Sequence, residues 1–145
     1  SALSRPNPLD RLIDLAISME SLYVSGPGDI TLKLVNRSST LLAKNDKERE
    51  DYWSFMKKAY SLRSGIVHGE ELRNTEINGK NYTVDEIIKK LIILTQKSIV
   101  IYSELINHYD GKKKIEKIYD DIDRALINKL FLKKFHSKHK KYIYS

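Results

Sequence analysis

The stretch from Thr83 to Tyr109 constrains the fold of this chain more than any other. Thr83-Val84-Asp85-Glu86 has the form of a capping box, in which the Thr hydroxyl and the Glu carboxylate each accept a backbone N–H at a helix start. Behind it Ile87, Ile88, Leu91, Ile92, Leu94, Ile99, Ile101, Tyr102, Leu105 and Ile106 recur at helical spacing and spread over more than one face. A helix this apolar either runs through the middle of a bundle or shares its outer side with a second chain. Both readings put a long helix at the organising position of an all-α fold.

Other helices are expected around it. Asn7-Pro8 supplies a cap and a proline at the first helical position, and the apolar period then runs to about Tyr23. Ser25-Gly26-Pro27-Gly28-Asp29 breaks it, and a second helix follows from Ile30 to about Ala43. After the polar turn Lys44–Lys47, a third helix carries Tyr52, Phe55, Met56, Ala59, Tyr60, Leu62, Ile66 and Val67 to His68, where Gly69 has the character of a left-handed cap. Residues 69–82 read as a loop with a small β-hairpin around Asn78-Gly79, whose adjacency to His68 suggests a lid. A fifth helix starts near Lys114 and runs to Phe131. The expected architecture is a four- to five-helix bundle forming one domain over residues 1–132, followed by a basic tail over 133–145. That tail is either an RNA-binding arm or a frayed, solvated end. The start, Ser1-Ala2-Leu3, has no initiator Met, so the chain is read as a piece of a longer protein.

Charge narrows the partners. The net charge is +7, with 26 Lys and Arg against 19 Asp and Glu, which favours an anionic partner, nucleic acid first. A merely Lys-rich surface is the competing explanation. Cysteine is absent, which excludes disulfides and thiolate metal sites. No signal peptide or membrane-spanning run is visible, so a cytoplasmic location is expected. His136 and His139 lack nearby carboxylates, and Gly26-Pro27-Gly28 lacks the Lys-Ser/Thr of a phosphate loop. No metal and no cofactor is expected.

The chemistry concentrates at the end of the third helix. Arg63 and His68 pair an always-charged guanidinium with an imidazole that exchanges protons near neutral pH, and Glu70 and Glu71 follow. A guanidinium and an imidazole are a minimal set for cleaving RNA without a metal: one steadies a phosphorane, the other moves a proton. Residues five apart on a helix lie about 140° around the axis and about 7.5 Å along it, so the pair does not converge within one chain. A site assembled from two copies about a twofold axis removes the difficulty. His68 as a simple helix cap is the plainer alternative.

Three stretches, Asp10–Tyr23, Leu32–Ser39 and Lys57–Gly69, the last ending Arg63-Ser64-Gly65-Ile66-Val67-His68-Gly69, carry a wider resemblance. In this order and spacing, the chain resembles the HEPN superfamily, most closely its Apea-like branch, over roughly Leu9 to Tyr109. The resemblance implies an all-α homodimer in which two Arg-x(4–6)-His motifs form a metal-independent endoribonuclease, in prokaryotic defence or toxin–antitoxin settings. It makes Arg63 and His68 the catalytic pair. It puts Ser64 where active members usually carry Asn, Asp or His. Glu20 is the expected third member, paired with Arg37 or Arg63 or else an ordinary salt bridge, and Arg37 and Lys58 are the expected substrate contacts. The expected partners are RNA, a second copy, and an antitoxin or adjacent domain. Ser64 keeps open a second reading, a catalytically inactive module that binds RNA, a nucleotide or a partner; a purely structural dimerisation domain is a third.

Overall fold

The computed structural model describes residues 7–71 and 73–139. Among them are six α-helices: α1 (Pro8–Tyr23), α2 (Ile30–Leu42), α3 (Asp46–Val67), α4 (Val84–Leu105), α5 (Lys114–Ile127) and α6 (Lys129–Lys138). A hairpin of β1 (Thr75–Ile77) and β2 (Lys80–Tyr82) joins α3 to α4. The chain is thus an all-α bundle with a minimal antiparallel sheet.

The local chemistry explains the boundaries. Asn7 and Asn45 each turn a side-chain oxygen onto the first free N–H groups of α1 and α3, at 2.9 Å from Leu9 N and 2.8 Å from Glu48 N. At α4 both halves of the capping box form: Glu86 N donates to Thr83 Oγ1 at 3.1 Å, and Thr83 N to Glu86 Oε1 at 3.2 Å. In the hairpin, Asn78 and Gly79 have φ of 52° and 77°, the paired positive values of a type I′ turn. The register sets Ile77 opposite Lys80, and Ile77 turns into the core.

Packing pairs α2 with α3, α1 with α4, and α5 with α6 and α2. One continuous core runs through Leu12, Met19, Leu34, Phe55, Ile88, Leu94, Ile101 and Leu105, each almost wholly removed from water. Burying side chains of this size contributes about 1.5–3 kcal/mol apiece. A polar contact crosses the core between the end of α1 and α4. The Tyr23 hydroxyl shares a 2.8 Å hydrogen bond with Ser98, and burial pushes that phenol's pKa well up.

Two expectations are corrected. The apolar period does not stop near Phe131, and the division at residue 133 falls inside α6. Asn128 caps this helix through Phe131 N at 3.0 Å, while Phe135, His136 and His139 are buried. Residues 140–145 of the expected tail lie outside the described residues. Nor is α4 enclosed by its own chain: Ile93, Ile99 and Val100 remain 62%, 47% and 57% exposed. Its inner side, from Ile87 to Leu105, is buried, so α4 is apolar on its outer side as well as its inner one.

Candidate active site

The last turns of α3 are built by an amphipathic pattern that changes side. Phe55, Met56, Ala59 and Tyr60 face the core, and the helix then ends on a glycine. Gly69, at φ +88°, closes a Schellman motif: its N–H bonds Ile66 O at 3.0 Å, and Glu70 N bonds Gly65 O at 2.9 Å. The reversal folds Glu70 back over Gly65, so that a β-carbon at 65 would collide with the Glu70 carboxylate.

Arg63 is half-buried on the inner side of this end. Its guanidinium carbon lies 5.6 Å from the centre of the Tyr60 ring, three residues earlier on the same face. Tyr60 in turn donates its hydroxyl to Glu20 Oε2 on α1 at 2.9 Å. Burial is the main cause that raises the Tyr60 pKa. The hydrogen bond and charge of Glu20 add to it, and Arg63 opposes. Tyr60 therefore stays protonated near neutral pH and serves as a rigid strut between α1 and α3. Arg63 Nε is buried without a hydrogen-bond partner, and among the described residues no carboxylate lies within ion-pair distance of the group. An unmatched buried donor costs about 1–3 kcal/mol, which an incoming acceptor would recover.

His68 is exposed at the helix end, where its own N–H caps the chain at 3.0 Å from Gly65 O. By the helical spacing it lies about 140° around the axis from Arg63. Ser64, four residues before His68, is exposed and shares His68's side of the helix, about 100° around from Arg63. Val67, beside the imidazole, is 60% exposed.

The remaining expected residues divide. Glu20 joins the Arg63 corner, but its partner is the Tyr60 hydroxyl and neither of the arginines proposed for it. Arg37 is engaged in the fold. Its Nε and Nη2 hold Asp123 of α5 at 2.9 and 3.0 Å, Nη1 holds Tyr23 O at 2.7 Å, and its Cζ lies 4.3 Å from the Tyr119 ring centre. With three donors committed inside, it locks α1, α2 and α5 together. Lys58 is exposed on α3 and is not gathered to Arg63, being about 140° away around the axis. The hairpin is no lid over His68. Its Asn78 amide reaches Asp51 Oδ1 at 3.4 Å and Tyr82 packs 5.6 Å from Phe55, which places it about 18–24 Å along α3 from the helix end. Tyr60 is the residue that sequence reasoning counted only as core; its place one turn before Arg63 was the available signal.

Among the described residues no cluster of three or more His, Asp or Glu could hold a metal ion, and no helix is long and apolar enough to cross a membrane. Comparison with known proteins finds no matching family model, no matching curated protein and no matching solved structure.

Proposed function

We propose that this chain is a metal-independent endoribonuclease of HEPN type that works as a homodimer, in a prokaryotic defence or toxin–antitoxin setting. The observation that carries the reading is Arg63: a guanidinium braced on Tyr60, with a buried donor unmatched and, among the described residues, no carboxylate against it, on the same helix end that exposes His68. A cation kept free of internal partners at a cost in stability is what binding a phosphate requires.

In this mechanism the ribose 2′-oxygen attacks the adjacent phosphorus and the P–O5′ bond breaks, leaving a 2′,3′-cyclic phosphate and a 5′-hydroxyl. One His68 takes the 2′-OH proton. A second imidazole gives a proton to the departing 5′-oxygen, and that role falls to the His68 of a second copy. Arg63 stabilises the charge that builds on the non-bridging oxygens. Glu20, through Tyr60, is a positioning residue. Because Arg63 and His68 face different sides of one helix end, a phosphate meets both kinds of group only when two such ends are apposed. The uncovered Ile93, Ile99 and Val100 of α4 and the exposed Val67 supply apolar surface for that pairing.

The test is cleavage of a labelled single-stranded RNA in EDTA, with sedimentation to establish the oligomeric state. His68→Ala and Arg63→Ala should each lower the rate by a factor of about 10²–10⁴ with the helical spectrum unchanged. Full activity of His68→Ala, or a strictly monomeric active protein, would refute the mechanism. Ser64 supports a second reading, since a hydroxyl replaces the amide or carboxylate that active members carry there. Salt-sensitive RNA binding by the unaltered protein without any product would decide for that non-catalytic module.

A further inference from the structure

The other end of α3 carries a site of a different kind. Between the α2–α3 turn and α6 lies a cavity of about 390 Å³, lined by Lys44, Arg49, Lys129, Lys133 and His136, with Asp46 as the one carboxylate in its wall. Asp46 is tied to Arg49 Nη1 at 2.7 Å, while Arg49 Nε is buried without a hydrogen-bond partner. Across Asp46, Arg49 and Lys129 this basic end opens into a wider hollow of about 760 Å³. The wider part has a mixed character: Glu50 and Asp51 line it along with Lys47, Trp53 and Asn78. The half-buried Trp53 indole is fixed in place, its Nε1 donating to Asn36 Oδ1 at 2.9 Å and the Lys57 ammonium lying 4.7 Å from its ring centre.

The two halves differ in charge. A phosphate is drawn most strongly to the narrow end, where cations outnumber the single carboxylate, whereas the wide half balances its charges and accepts a base beside Trp53, where carboxylates and the Asn78 amide can meet its amino and carbonyl edges. We propose that this groove binds a single-stranded RNA segment, with its phosphates on Arg49, Lys129 and Lys133 and a base against Trp53. The pairing of a cationic track with an aromatic surface is the general means of holding single strands. Arg49 and Arg63 stand about 21 Å apart along α3, so this is an anchoring site separate from the proposed scissile position. The inference rests on RNA being the ligand, as in the proposed function, but it does not require cleavage.

The experiment uses the His68→Ala chain, so that RNA survives the measurement, and a short labelled oligouridylate as probe. Lys129 and Lys133 are exposed, and Lys129→Glu with Lys133→Glu leaves the core untouched. The double variant should bind at least about tenfold more weakly, with the slope of log affinity against log salt reduced by about 1.4 for two lost phosphate contacts. Trp53 is the only tryptophan of the chain, so its emission reports the base directly and should be quenched at saturation. An oligouridylate paired into a duplex should not quench it. Unchanged affinity and salt slope in the double variant, an unmoved Trp53 emission, equal quenching by the duplex, or binding of uridine monophosphate as tight as the oligomer would each overturn the groove. The two readings fail separately. Groove binding without cleavage by the unaltered protein removes the nuclease; cleavage with indifferent groove variants removes the groove.

Discussion

Acidification should loosen this bundle from the α6 side, and the size of the effect follows from His139. The residue is 1% exposed, its ring packed 4.9 Å from Phe135 and 5.3 Å from His108 between ring centres, and its Nδ1 is buried without a hydrogen-bond partner. Burial is the main cause that pushes its pKa down from 6.5 to about 4; His108, Lys138 and His136 add to this, and Asp121 opposes. His136, buried against Thr40 O at 2.9 Å, is shifted down as well, again mainly by burial. Between those two values an unfolded chain takes up the His139 proton and the folded chain does not. The stability is therefore fully present above 6.5 and is lost as the pH falls through 6.5 towards about 4. For His139 alone the linkage gives a loss of about 1.5–2 kcal/mol between about pH 7 and about pH 5. That window lies above the range where ordinary carboxylates titrate. Urea unfolding at the two pH values reads the difference as a shift in midpoint at constant slope. His139→Phe should remove most of the pH dependence, since the ring contacts stay and the titrating group goes. The reasoning fails if that variant keeps the whole dependence, or if the unaltered protein grows more stable on acidification.

Three further perturbations test other joints. Asp123→Ala strands the Arg37 guanidinium, which is 10% exposed; because the Asp123 side chain is itself 49% exposed, the loss should be about 2 kcal/mol, a fall of about 6 °C in Tm. An unmoved melting curve would show that Arg37 does not lock α2 to α5. Tyr60→Phe removes the 2.9 Å bond to Glu20; it should cost about 1 kcal/mol and, on the proposed nuclease mechanism, lower kcat about tenfold with little change in KM, as loss of a positioning group does. Restoration of neither value in Tyr60→Phe paired with Glu20→Gln would be expected, whereas additive losses would show that the two act independently. Gly69→Ala forces a β-carbon into φ +88° and should destabilise the protein by about 1 kcal/mol, seen as an earlier urea midpoint.

How far the sequence could be read depended on the range of the forces involved. Capping and turn chemistry act over three or four residues, so Thr83 with Glu86, the Asn78-Gly79 turn and the Gly69 stop were all legible before any fold was known. The Arg63 corner was legible in part. Its position at the helix end is local, but the Tyr60–Glu20 bond spans forty residues, and no period reveals which hydroxyl a half-buried carboxylate will find. Arg37 misled for the same reason: its ligands come from Asp123, eighty-six residues on, and an arginine that clamps a fold looks in sequence like one that waits for a phosphate. α6 was obscured because Lys133, Lys134 and Lys138 dilute the apolar period to Phe131 and Phe135, while the contact that docks it is His136 on the Thr40 carbonyl. The basic groove exists only through that docking. Without α6 in place Lys129 and Lys133 are two solvated charges, and with it they face Arg49 across a walled hollow. Net charge could thus announce an anionic partner, but only tertiary packing could say where that charge is gathered.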